Sequence, residues 1–109
     1  MITATEAKEI VTQVKKDYST IIDKVIKRKI IKELECVTIE MANRGSTRGS
    51  LIIDASKYKE FKYFPVEELS TIGRHIVKEL EDLGYNNVYY HRTTTGTDIK
   101  IVWFWGGNV

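Results

Sequence analysis

The chain has little of what most often announces a function. It holds one cysteine, Cys36, and one proline, Pro65. A lone cysteine has no partner for an internal disulfide, and no Cys or His stands near it at metal-ligand spacing. It reads as a small buried apolar residue of a protein from the reducing cytoplasm. An excess of one charge is missing too. Its 17 basic and 15 acidic residues leave a formal net charge of +2, too balanced to mark a nucleic-acid protein by its field alone. No apolar run approaches the ~18 residues of a membrane helix. The opening Met1-Ile2-Thr3-Ala4-Thr5-Glu6 lacks the basic region and apolar stretch of a leader, so neither export nor a membrane partner is expected.

Catalytic signatures are equally scarce. The sequence contains no G-x-x-x-x-G-K-[ST] loop, G-x-S-x-G elbow, H-E-x-x-H helix or Asp-rich calcium loop. Its two histidines, His75 and His91, fall on different predicted elements with no adjacent nucleophile. The expectation is a non-enzyme with no cofactor and no metal.

What is present is pattern. The 109 residues, 42% of them apolar, suit a single domain over 1–109. Thr3-Ala4-Thr5-Glu6 reads as a capping box. Ala7, Val11, Val14, Tyr18, Ile21 and Val25 then recur at alternating steps of four and three, a seam of coiled-coil type. The predicted helix runs from Thr5 to Leu34, bent near Ser19-Thr20, and spans ~45 Å at ~1.5 Å per residue. So long a helix is expected to pack partly on something outside its own subunit.

Cys36–Ala42 alternates as a strand, Ser50–Ala55 is a short apolar strand, and the turn-rich 43–50 loop would join them as a hairpin. Pro65 begins a second helix with Val66, Leu69, Ile72, Ile76, Leu80 and Leu83 on its buried stripe and Gly84 as its left-handed cap. Asn87–Thr93 and Thr97–Trp105 form a second hairpin. The fold class expected is α+β in the order α-β-β-α-β-β: one antiparallel sheet of about four strands, with the long N-terminal helix and the second helix on one face. On the closing strand Ile99, Ile101, Trp103 and Trp105 would face the helices. Val102 and Phe104 would form an apolar patch on the open side, where a subunit interface is expected.

Two loops carry the chemistry of anion binding. Arg44-Gly45-Ser46-Thr47-Arg48-Gly49-Ser50 places two arginines, three hydroxyls and two glycines in seven residues. Arginines grip phosphate in bidentate fashion, and glycines let backbone N–H groups approach it. His91-Arg92-Thr93-Thr94-Thr95-Gly96-Thr97 is a second basic, hydroxyl-rich turn. Arg44, Thr47 and Arg48 with His91, Arg92 and Thr95 are the predicted ligand contacts, facing one another if both loops share an end of the sheet. Lys24, Arg28 and Lys32 make a basic helical stripe, which reads as a solvated face. The order of elements differs from the double-stranded RNA-binding domain and the RNA-recognition sheet, so nucleic acid is not the expected partner.

Ile2-Thr3-Ala4-Thr5-Glu6-Ala7, Val37-Thr38-Ile39, Val77-Lys78-Glu79-Leu80 leading to Leu83-Gly84-Tyr85, and Ile99-Lys100-Ile101-Val102-Trp103 form a spaced pattern that resembles small proteins of tailed bacteriophages. The resemblance implies a small non-catalytic protein of the host cell cytoplasm that acts by binding. The function expected is a homo-oligomer that sequesters a phosphate-bearing small molecule, such as a cyclic nucleotide immune signal, in counter-defence. The alternative is a protein–protein module, either an inhibitor of a host protein or a virion component.

Overall fold

Thr3 opens the first helix as its sequence foretells. Its hydroxyl accepts from the Glu6 N–H at 3.1 Å, and the Glu6 carboxylate accepts from the Thr3 N–H at 3.4 Å, the reciprocal bonds of a capping box. The structure, a computed structural model, describes residues 1–93 and 96–106. From that cap the chain stays helical through α1 (Ala4–Val25), a π-helical turn (Ile26–Ile30) and α2 (Ile31–Asn43). Both joints keep right-handed helical backbone. The pieces therefore form one rod of ~60 Å at ~1.5 Å per residue, matching the molecule's 61 Å long axis.

The helix is regular at Ser19-Thr20, where a bend was expected, and its irregularity is the π turn. A physical reason lies in the buried residues Ile26, Ile30 and Leu34. Two successive steps of four overshoot a repeat of 3.6, and one wider turn restores them to a single face.

Cys36–Ala42 is helix, not strand. The alternation of Val37, Ile39 and Met41 is real, but Ile30, Leu34, Thr38 and Met41 also recur at helical steps, and Ile39 is exposed. Extending a helix already formed adds a hydrogen bond for each residue ordered. A strand here would need a partner from far along the chain. Cys36 consequently lies exposed on the outer side of α2 rather than buried. The rod stops where Gly45 turns left-handed at φ +80°. Ser46 N–H reaches Met41 C=O and Gly45 N–H reaches Ala42 C=O, both at 2.9 Å, the paired bonds of a Schellman end.

With that strand gone, the first hairpin goes too. Among the described residues the sheet has three strands: β1 (Arg48–Asp54), β2 (Asn86–Arg92) and β3 (Asp98–Phe104), in the order β1-β3-β2, antiparallel throughout. Two short 3₁₀ turns, Ala55–Lys57 and Lys59–Phe61, lead from β1 towards α3 (Glu68–Asp82). Leu69, Ile72, Ile76 and Leu80 are buried as expected, whereas Val66 and Leu83, just outside the helix, are exposed. Gly84 takes its left-handed cap.

The rod and α3 cover one face of the sheet. Ile99, Ile101 and Trp103 join Ile22, Ile26, Leu34, Ile72 and Ile76 in one core. The Trp103 indole N–H donates to Thr38 Oγ1 at 2.9 Å, tying the middle strand to α2. Among the described residues no helix is long and apolar enough to cross a membrane.

Candidate functional site

The two arginine-bearing loops do not converge. In the β1–β3 register Arg48 lies opposite Phe104 and Asp54 opposite Asp98. The 44–47 loop therefore enters at the Phe104 end of β3, and the turn after Arg92 returns at the Asp98 end. Six residue steps at ~3.4 Å put the loops ~20 Å apart along the strand. Arg44 is turned back on its own helix, with its guanidinium 2.7 Å from Glu40 Oε1. Thr47 is exposed, and its carbonyl accepts from the Trp105 N–H at 3.0 Å. Arg92 sits opposite Ile99, on the parity of the helix-covered face. Thr95 lies outside the described residues.

The register brings other members of the predicted set together, on the face the helices leave open. Arg48 and Phe104 are cross-strand partners there, with the guanidinium carbon 5.9 Å from the ring centroid, within cation–π range. One row along, Ser50 and Tyr89 flank Val102; one further, Ile52 and His91 flank Lys100. Cross-strand neighbours stand ~4.5–5.5 Å apart at Cβ, so three basic side chains, two aromatic rings and a hydroxyl share a small platform. Tyr89 and Ile52 are 47% and 57% exposed, while Val102 is only 1% exposed, closed over within the single chain. Val102 is therefore the floor of the patch, and Phe104, half-buried, part of its rim.

The far end of this face is acidic. Asp98 and Asp54 are paired there. Ser56 Oγ and Thr97 Oγ1 both donate to Asp54 at 2.7 Å, and Ser56 N–H donates at 2.9 Å. These bonds, Ser56's hydroxyl first, hold the Asp54 carboxyl below its ordinary range. The platform thus runs from a basic, aromatic end at Arg48 to a fixed negative end at Asp54.

Ser50 and Lys100 are members of this platform that the sequence does not single out as ligand contacts. The parity of β3 already separates Lys100, Val102 and Phe104 from the core. The sequence does not name the neighbour: with β1 beside β3, Arg48 and Ser50 fall on the same face. Comparison with protein-family models, curated proteins and solved structures returned no match.

Proposed function

We propose that this is a non-catalytic protein that binds a phosphate-bearing, base-containing ligand on the open face of its sheet. The observation that supports this reading is the union of Arg48, Lys100 and His91 with Phe104 and Tyr89 on one uncovered surface. A guanidinium forms bidentate bonds to phosphate. Exposed aromatic rings stack on bases whatever their identity, and the Ser50 hydroxyl would reach phosphate or ribose. Cyclic nucleotide immune signals, sequestered in phage counter-defence, belong to this ligand class. The test is fluorescence anisotropy with labelled cyclic dinucleotides in one arm and short single-stranded oligonucleotides in the other. Stacking on one ring contributes ~1–3 kcal/mol per base, so Tyr89→Ala should weaken binding ~5- to 150-fold. Ligand recovered intact after heat denaturation marks sequestration, and degraded ligand marks an enzyme. Absence of binding to every probe at low salt refutes the proposal.

A second reading rests on the apolar part of the same surface. Exposed Ile52 and Tyr89 beside Phe104 suit a protein partner, either a host protein or a second copy of this chain meeting sheet to sheet. Phe104→Glu would then reduce the size of the complex, and Arg48→Ala would leave it unchanged.

A further inference from the structure

The first third of the rod packs on nothing among the described residues of its own chain. From Ala4 to Asp17 every side chain is exposed except Ala7, which is half-covered. The body begins at Tyr18, whose ring lies 4.4 Å from that of Phe64. Residues 4–17 thus form an arm of ~21 Å, and Ile10, Val11 and Val14 on it are 55%, 53% and 38% exposed. A helix of this length is marginal in water by itself. The arm's local aids, the Thr3–Glu6 capping box and a Gln13–Asp17 hydrogen bond of 3.1 Å, are small.

The direction of the seam decides what can cover it. Ala7, Val11 and Val14 continue in step into Tyr18, Ile21 and Val25, and the chain's own body closes that seam progressively, leaving Tyr18 and Ile21 half-buried and Val25 buried. Arm and body therefore form an L, with the apolar seam on its inner side. A second copy lying parallel would put its body at the same end and on the same side, in volume already filled. A second copy lying antiparallel puts the two bodies at opposite ends, and each arm fills the other's notch. Centred between Val11 and Val14, that pairing sets Val11 against the partner's Val14. It also sets small Ala7 against the partner's large Tyr18, an alternation of sizes suited to knobs-into-holes packing.

We propose that two copies of this chain exchange their arms as an antiparallel helix pair, a closed two-fold dimer. The proposal is independent of ligand binding on the sheet face. Sedimentation of the full chain should give a dimer. Val11→Glu with Val14→Glu should give a monomer that keeps the near-ultraviolet signal of buried Trp103. Val11→Ser with Val14→Ser serves as the milder pair if the charged variant fails to fold. In a Cys36→Ser background, a mixture of Val11→Cys and Val14→Cys proteins should form a mixed disulfide on oxidation, and Ala7→Cys alone should form none. A monomeric unaltered chain, a dimer that survives both arm variants or is lost only in Phe104→Glu, or self-crosslinking of Ala7→Cys would overturn it. So would a complex in which only an unrelated protein occupies the arm.

Discussion

Replacing Thr38 with valine tests the least expected feature of the fold, the docking of α2 on the middle strand. Thr38 Oγ1 accepts from the Trp103 indole N–H at 2.9 Å and donates to the Leu34 carbonyl at 2.8 Å. Trp103 is fully buried, so water cannot replace the lost acceptor. Valine keeps the shape and has nearly the same helix propensity as threonine, which isolates the hydrogen bond. Leaving a buried donor unpaired costs ~1–3 kcal/mol, and in a domain of this size each kcal/mol moves the midpoint by ~4–8 °C. Thermal unfolding followed by circular dichroism should show Thr38→Val melting roughly 4–24 °C below the unaltered protein. The cycle with Trp103→Phe removes the donor itself. In that background Thr38→Val should cost no more than ~0.5 kcal/mol, since no unpaired group remains. Equal midpoints for Thr38→Val and the unaltered chain would refute the contact, because a solvent-facing threonine on a strand would be silent in the same way.

Other substitutions probe separate joints. Gly73→Ala should destabilise by ~1–3 kcal/mol through overpacking, because a Cβ there would run into the Tyr90 ring; in an open helix the same change would stabilise by ~1 kcal/mol, so the sign of a denaturation shift decides. Tyr58→Phe should cost ~0.5–1.5 kcal/mol in urea unfolding, by removing the bond of 3.0 Å from the Tyr58 hydroxyl to Glu33 Oε2. Asp54 sets a pH dependence. Its folded carboxyl titrates below the ordinary 3.8, so its contribution is present above that value and is lost as pH falls through the lowered one. Asp54→Asn should therefore flatten the acid limb of the stability curve, and an unchanged limb would assign it to other carboxylates.

Local signals in this sequence were legible where one element decides its own form. Thr3 and Glu6 cap a helix together, Gly84 ends α3, and the parity of β3 separates Ile99, Ile101 and Trp103 from Lys100, Val102 and Phe104. Cys36 to Ala42 was not legible, since seven residues satisfy both a strand's alternation and a helix's spacing; the sheet partner that would arbitrate lies elsewhere in the chain. The same limit governed the site. Arg48 and Phe104 each stood out, one as an anion contact and the other as an interface residue, but only the register makes them neighbours. Arg44's diversion was visible in principle: Glu40 precedes it by four residues on what proves to be one helix.

The position of β3 has a consequence for how the chain is made. β1 and β2 do not pair with each other; both hydrogen-bond to β3, which follows them in the sequence. As the chain leaves a ribosome, the rod can form early from local contacts, but β1 waits with both edges open until some fifty residues more have emerged. Leu51, Ile52 and Ile53 are then an uncovered apolar triplet, the kind of segment that chaperones hold and proteases find. A nascent chain halted after Arg92 should show full helix signal and rapid cleavage within β1, and one extended through Phe104 should resist.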